Sequence, residues 1–307
     1  MLIDTHAHLN FNAYKDDADE VIRRALNNGV WMINVGSQYK TSKRAVEIAE
    51  KYKEGIFASV GLHPIHLADG IFKTKIDPAE MPNGVRGASK EEIEFETKEE
   101  DFDYEKYKEL ALRRGSGQAK SKVVAIGEIG LDYWYKPKTK TKLSELKEKQ
   151  REAFLKQLDL AKELNLPVIF HCRMAHDEMI ELLNTRYHIQ NTNLQGVVHC
   201  FTGNWQQAQK YLEMGLYLGF NGIIFKLNLD EVIKKTPLGR ILVETDCPYL
   251  TPKPMEGRNE PLYVKYVAER IAKVKEIDIQ GIEEATTKNA LDLFNFKKIT
   301  VYKPRYL

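Results

Sequence analysis

Three cysteines in 307 residues, Cys172, Cys200 and Cys247, are too few and too scattered for a disulfide framework or a paired-cysteine zinc site. No run of 18 apolar residues occurs, so no membrane-spanning helix is expected. An excess of one charge is also missing. Lysine plus arginine total 46 against 44 acidic residues, a formal net charge of +2. That balance excludes a polycation that coats nucleic acid indiscriminately, so any preference for a polyanion must arise locally. The first residues lack a basic stretch followed by a long apolar one, and a cytoplasmic protein rather than a secreted one is expected. With 43% hydrophobic and 29% charged residues, the chain has the composition of a globular protein and enough length for a substantial core.

What is present is alternation. Short β-branched or apolar runs recur at 2–4, 30–35, 56–60, 123–126, 167–170, 196–198, 216–220 and 241–243. Between most of them lie stretches with helical apolar spacing, such as Val21, Ile22, Ala25 and Leu26 before Gly29. Runs apolar on both faces suit strands covered on both sides, and strand–helix alternation implies a parallel sheet. The expected fold class is therefore α/β, a closed (β/α)₈ TIM barrel formed by a single hydrolase domain over 1–307. A doubly wound open sheet competes, but no glycine fingerprint follows the first strand, where Asp-Thr-His-Ala-His stands instead.

The step from Ile56 to Val123 is far longer than the others and points to an insertion after the third strand, over 67–121. Within it, ten acidic residues lie between Glu91 and Glu109 against three lysines, which suggests a solvated excursion or a lid. The sign then reverses. Lys136, Lys138, Lys140 and Lys142 fall at alternate positions after Trp134 and Tyr135, and an extended loop would set their ammonium groups on one side, beside aromatics able to stack bases. Ordinary solvated surface is the competing reading of that run.

His6 and His8 lie two apart in an extended segment, so period-two geometry turns both imidazoles to one face with Asp4 below them. Further ligand types recur at the carboxyl ends of other strands: Glu128, His171, His199 and Asp246. A parallel barrel gathers all its strand ends at one rim. Four histidines and two carboxylates suffice for two divalent ions, zinc, magnesium or manganese among them, with Glu128 bridging through its two oxygens. Asp246 is the expected general base for water, and Asp246 and Glu128 form the expected catalytic pair. Each cysteine directly follows a ligand position, so all three should turn away toward the helices as small packing residues.

Substrate contacts are expected from His63 in Gly-Leu-His-Pro, from Arg173 two residues past His171, and from Thr202-Gly203, where a tight loop enters a helix and could hold an anion. Arg258 in a Gly/Pro-bounded loop completes the set. Buried histidines satisfied by backbone are the bland alternative for any one ligand position, but not for five strand ends together.

The strings DTHAH (4–8), GLHP (61–64), GEIGLDY (127–133), FHCR (170–173), HCFTG (199–203), ETDCPYL (244–250) and GRNEP (257–261), in this order, resemble the TatD family of metal-dependent deoxyribonucleases in the amidohydrolase superfamily. The resemblance runs from Leu2 to about Phe294. It implies a (β/α)₈ barrel with a two-metal centre on His6, His8, Glu128, His171, His199 and Asp246, and a nuclease, an exonuclease in particular, cleaving phosphodiester bonds of DNA, with single-stranded DNA or RNA also open as substrate. Neither a membrane nor an obligate protein partner is implied. The long 64–122 stretch and the lysine-rich 134–146 depart from the family pattern and leave substrate preference open. An amide or ester, such as an aminoacyl-tRNA ester, is the alternative substrate, because two ions polarise a carbonyl as readily as a phosphoryl oxygen. A non-catalytic binding module would leave the ligand set without purpose.

Overall fold

The computed structural model describes residues 1–75, 92–116, 120–134, 137, 139–187 and 195–296. Eight parallel strands form the central sheet: β1 (Leu2–Ala7), β2 (Val30–Val35), β3 (Ile56–Val60), β6 (Val123–Asp132), β7 (Val168–Arg173), β8 (Gly196–Val198), β9 (Tyr217–Phe220) and β10 (Ile241–Val243), hydrogen-bonded in that order. Every expected apolar run lies on one of them. The sheet closes between β10 and β1, where the Asp246 N–H donates to the His6 carbonyl at 2.8 Å and the His8 N–H donates to the Cys247 carbonyl at 2.9 Å. Asp4 reinforces the seam by accepting from the Thr245 N–H at 2.9 Å and the Thr245 hydroxyl at 2.6 Å. The result is the TIM barrel.

Helices α1 (Ala18–Asn27), α2 (Tyr39–Glu50), α4 (Lys140–Leu164), α5 (His176–Tyr187), α6 (Trp205–Glu213), α7 (Asp230–Lys235), α8 (Val264–Lys275) and α9 (Ile279–Phe294) follow the strands. Their ends are written locally. Gly29, at φ +71°, stops α1 before β2, and Asn165, at φ +50°, ends α4 before Pro167. Ile3, Ile33, Val35, Phe57, Val124, Ile169, Val197 and Leu242 fill the barrel interior. Leu293 and Phe294 of α9, with Phe296 beyond it, join this cluster, and Phe296 stacks on Phe57 at 4.2 Å. Packed side chains thus fill the amino-terminal end, which leaves the carboxyl ends of the strands as the open rim. None of the described helices is long and apolar enough to cross a membrane.

Between β3 and β6 the chain forms a 3₁₀ turn at Pro64–Leu67, the antiparallel hairpin β4 (Gly70–Lys75) and β5 (Glu92–Thr97), and α3 (Tyr104–Leu112). Of the acidic stretch, Glu100 has a definite task. Its carboxylate accepts the Tyr39 N–H at the start of α2 and the Tyr107 hydroxyl, each at 3.0 Å, and so ties the insertion to the barrel.

Two expectations change. Lys140 and Lys142 do not alternate in an extended loop. Thr139 caps α4 through the Lys142 N–H at 3.3 Å, which places both lysines in the exposed first helical turn; Lys136 and Lys138 lie outside the described residues. Asp4 does not sit in line below the histidines either. Ile3 packs inside the barrel while Ala7, of the same parity, packs outside, because a bulge shifts the register between Asp4 and Ala7. The cysteines follow expectation more closely. Cys172 and Cys247 are buried in the layer between sheet and helices, the Tyr211 hydroxyl donating to Cys172 Sγ at 3.7 Å, whereas Cys200 is half-buried with its Sγ donating to Asn221 Oδ1 at 3.6 Å, and both Cys172 and Cys200 border the cleft at the strand ends.

Candidate metal centre

The bulge in β1 aims His6 and His8 together over the barrel mouth, with their Nε2 atoms 3.1 Å apart. His8 donates its Nδ1–H to the Val35 carbonyl at 2.9 Å, so the lone pair of its Nε2 faces the cluster. Asp246, just past β10, adopts φ +58°, which brings its Oδ1 within 3.4 Å of His8 Nε2 and 3.8 Å of His6 Nε2. Glu128 emerges from β6 where the register shifts between Gly127 and Ile129. One oxygen, Oε2, lies 3.4 Å from His6 and 3.9 Å from His8; the other, Oε1, lies 2.7 Å from His171 Nδ1, 3.3 Å from His199 Nε2 and 3.5 Å from His63 Nε2. All six sequence-derived ligand positions therefore converge. Their donor atoms form overlapping groups with spacings under 4.8 Å, including His6–His8–Glu128 and His6–His199–Asp246. Imidazole nitrogens and carboxylate oxygens with open lone pairs at this spacing fit divalent cations of borderline character.

His63 joins a third group with Glu128 and His171, yet its hydrogen bonding assigns it another role. The Ile65 N–H donates to His63 Nδ1 at 3.0 Å, so the neutral ring carries its proton on Nε2 and faces the cluster as a donor. Burial, and then the neighbouring His171, keep its pKa well below the ordinary histidine value.

Two carboxylates that sequence reasoning missed orient the histidines from behind. Asp132 accepts from His171 Nε2 at 3.1 Å, and Glu244 accepts from His199 Nδ1 at 2.9 Å and from the Cys200 N–H at 2.7 Å. Alternation could have found both. Glu244 stands two residues before Asp246, and Asp132 four after Glu128, each on the inward parity of its strand. Glu244 fits only because Gly219 lies opposite, where a methyl group would sit 2.5 Å from Glu244 Oε2. Gly219→Ala is therefore expected to displace Glu244, tilt His199 and weaken metal affinity by about 10–100-fold, as loss of an outer partner typically does. Isothermal titration with zinc or manganese measures it, and an unchanged affinity would mean that Glu244 does not orient His199.

Charge in the cluster is balanced by protons. Burial opposes the imidazolium of His171, but hydrogen bonds to Asp132 and Glu128 outweigh it and raise its pKa to about 9. His199 is raised well above its ordinary value despite burial, through Glu244 and Glu128. Burial works against the Glu128 carboxylate too, yet His63, His199, His6 and the His171 hydrogen bond hold its pKa well below the usual range. Protons on His171 and His199 thus stand where cations would. Metal uptake at pH 7 should release roughly two protons, and apparent affinity should climb as pH rises toward 9. The metal-free fold behaves oppositely. His171, raised on folding, contributes its stability fully below about pH 6.5 and loses it as pH approaches 9. Titration of metal in buffers of different ionisation enthalpy tests this, and binding without proton release would contradict it.

The cluster floors a cleft of about 550 Å³ whose walls include His63, Arg173 and Thr202. The Arg173 guanidinium lies over the Trp134 ring at 4.3 Å. Gly203 is not among the lining residues, and the expected anion cradle at the start of α6 is already capped: Asn204 Oδ1 accepts the Gln207 N–H at 2.9 Å and Gln207 Oε1 accepts the Asn204 N–H at 3.1 Å. Arg258 also lies outside the cleft lining. It forks onto Asp17, donates to the Ala13 carbonyl and covers the Tyr14 ring at 4.3 Å, a strap between the loop after β10 and the segment before α1. Arg258 is thus a structural clasp in place of the expected substrate contact.

Residues 3–295 match the family model described as TatD related DNase. The chain is 40% identical over 300 residues to the uncharacterized metal-dependent hydrolase YabD of Bacillus subtilis, covering 96% of this chain and 99% of the relative. It is 31% identical over 304 residues to the 3'-5' ssDNA/RNA exonuclease TatD of Salmonella typhimurium, covering 95% and 98%. Among solved structures, a TatD homologue from Escherichia coli K12 superposes with a TM-score of 0.74 at 29% identity, over 96% of this chain and 98% of that one.

Proposed function

Since this chain belongs to the TatD-related DNase family of metal-dependent hydrolases, we propose that its rim cluster holds two divalent ions and removes nucleotides from the end of single-stranded DNA or RNA. The observation that carries the proposal is the split allegiance of Glu128, whose Oε2 faces His6 and His8 while Oε1 faces His171 and His199. In this reading His6, His8 and Asp246 hold one ion, His171 and His199 the other, and Glu128 bridges them. Bound there, zinc, manganese or magnesium supplies Lewis-acid activation of water and of the phosphoryl oxygen.

The chain's own residues do the rest. Asp246 accepts the proton of the attacking water: the hydrogen bond to His8, with His199 and His6, outweighs burial and keeps its carboxylate ionised. His63 donates its Nε2–H to a non-bridging phosphate oxygen, and Arg173, held against Trp134, offers a second donor. Thr202 borders the same space. The proposal treats the chain as one hydrolase domain with 67–121 inserted in it. A reducing, cytoplasmic setting agrees with three unpaired cysteines.

The test is digestion of end-labelled single- and double-stranded oligonucleotides by protein of known metal content, with magnesium, manganese or zinc added. Stepwise shortening of the single strand is expected. Inert oligonucleotides beside rapid cleavage of an aminoacyl ester would transfer the same centre to carbon chemistry.

A further inference from the structure

The cleft is not uniform around its rim. Where the loops after β9, β10 and β1 meet, the wall is apolar and aromatic: Phe11 stacks on His8 at 4.3 Å and meets Tyr249 edge-on at 6.5 Å, with Leu250 beside them. On the α2 side the wall is cationic, with Lys40 and Arg44 both lining the cleft. They are four apart on one helix and so share a face, one turn from each other.

Their neighbours have partners. Lys43 on the same helix pairs with Glu47 at 3.9 Å, and Arg24, Arg113, Arg151 and Arg270 all meet carboxylates. Among the described residues, Lys40 and Arg44 have no ion pair. Two long cations left without carboxylates, on one helical face bordering a metal centre, match a run of phosphates, because nothing within the described protein competes for them. The lysines at the start of α4 differ. Lys140 and Lys142 are exposed but do not line the cleft.

We infer that a single-stranded substrate rests its terminal base against the Phe11–Tyr249 wall and leaves the metal centre over α2, where Lys40 and Arg44 take the phosphates beyond the scissile one. This track rests on the nuclease reading. An aromatic platform beside a cationic groove is the general means of holding single strands without reading their sequence, so little base preference is expected.

The experiment measures binding of a dye-labelled single-stranded DNA dodecamer by fluorescence anisotropy. The metal-loaded protein carries Asp246→Asn so that the strand is not cut. Adding Lys40→Ala with Arg44→Ala should weaken binding about tenfold in low salt and reduce the slope of log affinity against log salt by about 1.4, since each single-strand phosphate contact contributes roughly 0.7. Lys140→Ala with Lys142→Ala should leave the slope unchanged. An unaltered slope in the α2 variant, a loss appearing in the α4 variant instead, or no binding by the unsubstituted protein overturns the track. The two readings fail separately. Protein that degrades oligonucleotides yet keeps its salt slope in the α2 variant retains the nuclease assignment and loses only the track. Binding with the expected slope change but no hydrolysis by the unsubstituted protein does the reverse.

Discussion

Glu128→Ala is expected to lower phosphodiester hydrolysis by about 10³-fold or more, because an electrophilic centre worth several kcal/mol is lost or misplaced and each 1.36 kcal/mol is a factor of ten. The expectation rests on position. Among the described residues no other side chain reaches as many of the ligand histidines: Glu128 lies within 4 Å of His6, His8, His171 and His199, and of His63 beside them. Removing it leaves His171 and His199 without their shared carboxylate, so the bound metal should fall toward one ion per chain. The barrel should still fold, since Glu128 lies at the rim, while the apolar interior is filled by Ile3, Phe57, Val124, Leu242 and their neighbours. Metal analysis and circular dichroism accompany the activity measurement. Full metal content with full activity would reject the bridging role, and a chain that fails to fold would make Glu128 structural.

Asp246→Asn should reduce turnover by about 10²–10⁴-fold, the range for a positioned acid or base. The substitution is unusually clean here. Asp246 sits at φ +58°, in the left-handed region that asparagine tolerates as well as aspartate does. Its N–H bond to the His6 carbonyl, part of the barrel closure, is a backbone contact that survives. What changes is the negative charge facing His8 and His6 and the ability to accept a proton from water. Saturating metal should restore occupancy but not rate. Wild-type turnover under those conditions would show that Asp246 is not the base. Alanine would be a poorer probe, because it adds backbone strain to the loss of charge.

Much of this centre was legible before any tertiary contact was known. A barrel strand alternates strictly except at bulges, so a ligand-type residue just past an apolar run has only two directions available. His171 and Arg173 follow Ile169 inward, and His199 follows Val197. The bulges in β1 and β6 were not legible, because an extra residue in a strand shows only against its partner's register. Asp132 and Glu244 had the right parity and residue type, but the sequence does not say whether a carboxylate there meets a metal or a histidine. Their function became visible only when His171 and His199 were seen to donate to them.

The amino-acid sequence by itself determined the eight-fold repeat, the closed parallel architecture and the six side chains that meet over its mouth. The repeat and the placing of ligand types at strand ends follow from short-range rules that act within a few residues, whereas the bulges that turn His6, His8 and Glu128 inward are set by pairing with the neighbouring strands. Tertiary structure alone decided how the cations are used. Arg258 finds Asp17 across most of the chain, and Lys40 and Arg44 join Arg173 on the wall of the cleft. A long flexible cation takes whichever carboxylate, carbonyl or open space the closed barrel sets beside it, and that neighbour is unrelated to its position in sequence.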